Sequence, residues 1–286
     1  MSNLELSRAQ RLDQKVVELL PELSRAYAAR LVGDGKVKVN GNVQTKAGYK
    51  LREGDDVQVD FDASKLEQIP DIELEVLYED EDCVVICKPV GVLSHSKGAF
   101  NPEATVATWL RSRLKDGLGG DRGGIVHRLD RATSGVMICA KHPKALSWLQ
   151  KQFATRNVKK TYAAVINGKM DPEEAVIDMP IERNPKAPAT FRVGPQGKAA
   201  KTAYETVTSN NKYSLVELRP ETGRTHQLRV HLSHFHHPIV GDTLYGGEPA
   251  ERLYLHAETL EMTILKNHER MVFTAEIPQE FKEITK

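Results

Sequence analysis

Gly124-Ile125-Val126-His127-Arg128-Leu129-Asp130-Arg131-Ala132-Thr133-Ser134-Gly135 runs directly into the apolar segment Val136-Met137-Ile138-Cys139-Ala140. A short β-branched and apolar run of this length reads as a buried strand, which puts Asp130 at a loop-to-strand junction. A strand end can hold such a side chain rigidly in a cleft. Arg128 and Arg131 flank the carboxylate, and cations close in space favour the ionised form of an acid. Arginines placed this way also suit a polyanionic ligand, whose oxygens they meet with paired N–H donors. The same residues would serve equally well in a surface loop whose Asp130 caps a turn and pairs with its neighbours.

Working outward, two lookalikes fall away. Protein kinases carry His-Arg-Asp, but here Leu129 intervenes and no Asp-Phe-Gly follows. The glycines upstream (Gly117, Gly119, Gly120, Gly123, Gly124) do not form Gly-x-Gly-x-x-Gly, because Arg122 occupies the third position. They read as a flexible approach to the loop and not as a phosphate cradle.

A chain of 286 residues can bury a substantial core and has room for one large domain plus a small one. The polar N-terminus lacks the apolar core of a signal peptide, and no apolar run approaches membrane-spanning length, so a cytoplasmic protein without membrane attachment is expected. Three cysteines in strand-like contexts (Cys83, Cys87, Cys139) suggest buried free thiols in a reducing compartment. The net charge of +1 conceals an uneven distribution. Residues 66–82 carry eight acidic side chains and no basic one, whereas residues 83–286 carry 29 basic against 21 acidic. Such a basic body favours an anionic partner, although a well-solvated surface would look the same.

The first 65 residues have their own pattern. Leu12, Val16, Leu19 and Leu20 fall at helical spacing, and a second helix through Leu23, Ala26, Ala29, Leu31 and Val32 follows Pro21. Lys36–Val39 then alternates as a strand, Asn40-Gly41 is a hairpin turn, and Val57–Val59 reads as a further strand. Residues 62–71 lack any period and contain Pro70, which places a linker there and divides the chain into domains at 1–65 and 72–286. Beyond it, strand-like runs recur at 74–77, 84–87, 136–140, 162–166, 202–207 and 213–218. Helical stretches are expected at about 103–115, 142–156 and 224–236. Strands and helices do not alternate regularly, so the expected fold class is α+β, a mixed and mainly antiparallel sheet flanked by helices.

His127-Arg128-Leu129-Asp130 followed by Arg131-x-Thr133-Ser134-Gly135 resembles the catalytic signature of the RluA-type pseudouridine synthases, which isomerise chosen uridines in ribosomal and transfer RNA. Three further segments resemble the same family in order: Cys87-Lys88-Pro89-Val90-Gly91-Val92, Lys160-Thr161-Tyr162-Ala163-Ala164-Val165, and Thr222-Gly223-Arg224-Thr225-His226-Gln227-Leu228-Arg229-Val230-His231-Leu232. Leu253-Tyr254-Leu255-His256-Ala257 fits as well. The N-terminal pattern, with Arg11-Leu12-Asp13 and Gly35-Lys36-Val37-Lys38-Val39-Asn40-Gly41, is similar to the small RNA-binding S-four-type domain. That resemblance makes Arg25, Arg30, Lys36 and Lys38 candidate phosphate contacts, although each also fits a solvated helix or strand face.

Isomerising a stacked uridine requires flipping it into a pocket, cleaving its bond to ribose, turning the uracil and rejoining it through carbon five. Asp130 then fits the carboxylate at the ribose, as nucleophile or as base, two routes left open. Tyr162 fits an aromatic platform and a possible acceptor for the proton at carbon five, and Arg224 fits the ion-pair partner of Asp130, with Arg229 as the fallback. Leu228 would wall the pocket, Arg128 would fill the gap left by the flipped base or meet its phosphate, and His127 would orient the loop. The basic run Lys141–Lys160 reads as a helix facing RNA.

The resemblance implies RNA as partner, ribosomal before transfer RNA, a monomer, and no cofactor. No metal is expected either: His226, His231, His234, His236 and His237 crowd several faces of one segment instead of converging on one. A non-catalytic RNA-binding or ribosome-assembly protein on the same scaffold is the rival reading, which the combination of Asp130, Tyr162 and Arg224 disfavours. A glycosidase would want a second acidic partner, absent from these motifs.

Overall fold

A nine-stranded sheet organises the part of the chain that carries Asp130. The computed structural model describes residues 10–21, 23, 25–61, 70–96, 103–115, 118 and 122–286. Most of the expected linker, residues 62–69, lies outside the described residues. The chain divides into two compact units, Met1–Ile72 with His95–Trp109 and Gly119–Gly123, and Glu73–Ser94 with Leu110–Leu118 and Gly124–Lys286.

In the first unit, helices α1 (Leu12–Leu19) and α2 (Arg25–Gly33) pack on a small antiparallel sheet of β1 (Val37–Val39), β2 (Asn42–Val43) and β3 (Val57–Val59), ordered β2-β1-β3. Leu12, Val16, Leu31 and Val32 meet Val37, Val39 and Leu51 in one core. Asn40 and Gly41 take positive φ, as the tight turn between β1 and β2 requires.

The sheet of the second unit runs β4 (Glu75–Glu79), β5 (Cys83–Lys88), β6 (Ser134–Ala140), β13 (Leu255–Thr263), β7 (Lys159–Asn167), β12 (Tyr213–Pro220), β11 (Lys201–Ser209) and β8 (Glu174–Asp178). A ninth strand, β14 (Arg270–Thr274), pairs with the far end of β13. Every pairing is antiparallel except β6 with β13. A short hairpin of β9 (Ile181–Arg183) and β10 (Phe191–Val193) stands apart.

Alternation along β7 explains why both faces of this sheet are covered. Ala164 and Ile166 face a core that includes Leu228 and Leu232 of α5 (Gln227–His234). Ala163 and Val165 point the other way, to Phe281 of α6 (Gln279–Glu283). Tyr162 packs against the α5 core, so strand parity delivers it to the face that carries Leu228. Further along, α4 (Pro143–Ala154) lays Ala145 and Leu149 on Val136 and Ile138. His142 caps α4 by accepting from the Ala145 amide at 3.3 Å, and Pro143 suits the first turn.

Two helices are shorter than the sequence pattern suggests. The stretch read as 103–115 yields α3 (Val106–Leu110) and a 3-10 turn at Arg111–Arg113. The stretch read as 224–236 becomes helical only at Gln227, because His226 takes the left-handed conformation with φ +57°. Cys83 and Cys139 are buried free thiols, and Cys87 is half-buried. No helix among the described residues is long and apolar enough to cross a membrane.

Candidate active site

Asp130 sits one turn before β6, where the Thr133 amide donates to its carbonyl at 3.0 Å. The loop is braced from several sides. The Ser94 hydroxyl donates to the Leu129 carbonyl (2.9 Å) and accepts from the Leu129 amide (3.1 Å). His127 stacks on Phe153 with ring centroids 4.6 Å apart, and its Nε2 accepts from the Ile138 amide at 3.1 Å. Burial pushes the His127 imidazole down to about 3, so the ring stays neutral and remains an acceptor.

Lys88 is fully buried beneath the same loop. Its ammonium donates to the carbonyls of Pro89 (2.9 Å), Val92 (2.9 Å) and Arg131 (3.4 Å), which satisfies all three of its N–H groups. Burial lowers its pKa to about 8, and the nearby Asp130 opposes that fall. The motif around Lys88 was visible in the sequence, whereas its place under the Asp130 loop depends on a pairing between β5 and β6 that spans about fifty residues.

A solvent-open cleft of about 670 Å³ lies over Asp130, and Tyr162, Arg224, His226, Leu228, Arg229 and Leu255 share its walls. Asp130, Tyr162 and Arg224 therefore meet in one cavity, with Arg128 and Leu228 beside them. The ion pair differs from the expectation. The guanidinium next to Asp130 belongs to Arg229, whose Nη1 lies 3.7 Å from Oδ2, and not to Arg224. Arg224 instead donates its Nε to the Ala199 carbonyl at 2.9 Å. The late start of α5 is the cause. The Gln227 side chain folds back to accept from the Arg224 amide (3.0 Å) and the Thr222 hydroxyl (2.7 Å), which holds Arg224 in a turn ahead of the helix.

Arg229 is held by more than its charge. Its Nε and Nη2 donate to the two oxygens of buried Asp242, each at 2.7 Å, and its guanidinium lies 5.0 Å over the Tyr245 ring. That planar fork is fixed along one edge, which aims the remaining Nη1 at Asp130. Asp242 lies thirteen residues beyond Arg229, and nothing in the local spacing ties the two together.

His226 is a second neighbour of Asp130 that sequence reasoning did not assign there, with Nε2 at 3.7 Å. Its Nδ1 meets the Tyr245 hydroxyl at 2.8 Å, and that hydroxyl accepts from the Phe191 amide at 3.0 Å. A Tyr245 O–H donated to Nδ1 leaves the ring proton on Nε2, the tautomer that faces a carboxylate favourably. Burial lowers the His226 pKa against the pull of Asp130, which favours the neutral ring. Two further histidines of this run have partners of their own: His231 meets Thr202 and the Met179 carbonyl, and His237 the Asn167 carbonyl.

Burial, reinforced by the charge of Asp130, raises the Tyr162 pKa well above its usual value. The phenol stays protonated at neutral pH, so Tyr162 offers a ring face and a donor but no phenolate base in the resting site. Arg131 turns away from the cleft, with Nη1 3.3 Å from the Gly91 carbonyl. In the first unit, Arg25 donates to Asp13 (3.0 Å), Arg30 pairs with Asp34 (3.6 Å) and Lys36 with Asp60 (3.0 Å). Lys38 is exposed on β1 between buried Val37 and Val39.

Comparison with known proteins follows the same division of the chain. Residues 82–234 match the family model described as RNA pseudouridylate synthase, and residues 10–57 match the S4 domain. Ribosomal large subunit pseudouridine synthase D of Yersinia pestis is 40% identical over 249 residues, covering 86% of this chain and 75% of its own. The protein of the same name from Vibrio parahaemolyticus is 36% identical over 294 residues, covering 96% and 90%. Among solved structures, human RNA pseudouridylate synthase domain containing 4 superposes with a TM-score of 0.58 at 28% identity, covering 73% of this chain and 90% of that one. With the motifs, the sheet and these likenesses in agreement, the chain belongs to the RNA pseudouridylate synthase family.

Proposed function

We propose that the protein isomerises uridine to pseudouridine at defined positions of large-subunit ribosomal RNA, with Asp130 as its catalytic carboxylate. The observation that carries this reading is the single cleft in which Asp130, Tyr162, Leu228 and Arg229 converge. A flipped uridine entering it would place its ribose at Asp130 and its uracil against the Tyr162 ring. Asp130 acts there as nucleophile or as base at the ribose, and both routes require the ionised carboxylate that Arg229 supports. Arg229 replaces Arg224 as its ion-pair partner, and Arg224 becomes a cation of the cleft wall. Every group in this scheme is a side chain of the protein.

Large-subunit RNA is favoured over transfer RNA because the bacterial relatives above bear that name over most of this chain's length. The S4 match supports residues 1–65 as an accessory RNA-binding domain and residues 72–286 as the catalytic one. Tethering the two raises the effective concentration of the synthase on a large RNA. Of the four candidate phosphate contacts, Lys38 is the most available, since Arg25, Arg30 and Lys36 have carboxylate partners. The test is to incubate the full chain with carbon-five-tritiated large-subunit RNA and, separately, tritiated transfer RNA. Tritium release from the first and not the second is expected, and release from transfer RNA alone would overturn the choice of substrate.

A further inference from the structure

Beside the Asp130 cleft lies a second, larger one of about 1070 Å³. The two share Arg128, Lys160, Tyr162, Thr222, Gly223 and Arg224, so they form adjoining chambers along one wall. The second reaches past them to Phe153, Ala154, Arg156 and Val158 at the end of α4. Four cations thus surround it: Arg128, Arg156, Lys160 and Arg224. Among the described residues none of the four has a carboxylate within ion-pair distance. The one acid in the lining, Glu221, pairs with Lys201 at 3.1 Å.

Like charges gathered without counter-charge are unfavourable in the free protein unless an anion completes the set. Lys160 bears this most. Its Nζ rests on the Thr222 carbonyl at 3.4 Å, and burial together with Arg156 lowers its pKa to about 8. Arg156 adds an independent sign. It stands just past the end of α4 with φ +59°, and the Asn157 amide closes back on the Gln152 carbonyl at 2.9 Å. Glycine is the residue that this helix-ending position favours, so an arginine here accepts backbone strain. Among the described residues its side chain gains no ion pair in return.

We propose that this chamber is a phosphate-binding subsite for the nucleotide next to the reacting uridine, with Arg156 and Lys160 holding the phosphodiester and Arg128 and Arg224 bordering both chambers. The inference rests on the function proposed above and adds where the strand continues once the uridine is in place. Phe153, Ala154 and Val158 supply an apolar wall for the sugar, and base identity is not read, because the cations address only the backbone.

Arg156→Gly tests it, since glycine relieves the left-handed backbone while it removes the cation with its side chain. The variant is expected to melt at or above the temperature of the wild type. It should bind a large-subunit RNA fragment several-fold more weakly, and its slope of log K against log salt should be shallower by about 1, the loss of one phosphate contact. KM should rise by more than kcat falls, and Arg156→Lys should recover the salt slope. An Arg156→Gly protein with wild-type affinity and an unchanged salt slope would overturn the subsite. The affinity, the salt slope and the melting temperature need no turnover, so they remain readable if the wild type forms no pseudouridine, a result that would count instead against the proposed function.

Discussion

At the scale of single residues, Arg229 shows what spacing can and cannot reveal. The segment Gly223-Arg224-Thr225-His226-Gln227-Leu228-Arg229 offers two arginines five positions apart, and either could meet Asp130 if the helix began early. The choice is made by His226, whose φ of +57° delays the helix and has no signature in the sequence. It is made again by Asp242, thirteen residues on, which grips two nitrogens of Arg229 and leaves the third for Asp130. A lysine could keep the charge but could not reach both carboxylates with a fixed planar fork. Arg229→Lys should therefore fold and bind RNA while losing about 10²-fold in kcat, the scale expected when a reacting group is misplaced by about 1 Å. Single-turnover kinetics at saturating RNA would measure it, and an unchanged rate would show that Asp130 needs no such brace. Asp130, Tyr162 and Leu228 were legible from motif and strand pattern, because each depends mainly on its own local segment. The neighbours of Asp130 were not, because they are fixed by contacts between distant segments.

At the scale of elements, the central crossing of β6 and β13 decides where the Asp130 loop ends. Strand β13 pairs with β6 only at His256 and Ala257, and its far end pairs instead with β14, so its partners change along its length. Gly135 makes the approach possible. Its φ is +114°, and a Cβ there would lie 2.1 Å from the Ala257 carbonyl oxygen. Beside it the Ser134 hydroxyl meets Nδ1 of His256 at 2.8 Å, which ties the start of β6 to β13. Gly135→Ala should cost about 1–3 kcal/mol of stability through overpacking, measured by urea unfolding. An unaltered midpoint would mean that the two strands do not meet so closely. Of the long strands of the sheet core, β5, β6, β7, β11 and β12 were foreseen, since alternating or continuous apolar runs announce them, whereas the central β13, whose Leu253–Ala257 segment was read only as a family-like motif, was not. The β9–β10 hairpin, β8, β14 and α6 were missed. They are short or half-exposed and carry little periodicity of their own, so tertiary contacts define them.

At the scale of the whole molecule, the near-zero net charge hides a basic stretch over residues 83–286, and the structure locates Arg128, Arg156, Lys160, Arg224 and Arg229 around the two chambers beside Asp130. Class α+β was legible because strands and helices fail to alternate. The order of the sheet was not, since neighbours such as β13 and β7 are almost a hundred residues apart. The account depends on one chemical claim, that the Asp130 carboxylate attacks or deprotonates the ribose of an everted uridine. Replacing Asp130 by Asn preserves shape and removes the charge. Tritium release from carbon-five-labelled large-subunit RNA should fall to background in Asp130→Asn while its RNA affinity stays within about twofold of wild type, a change below 0.5 kcal/mol. Release at the wild-type rate from that variant would contradict the account.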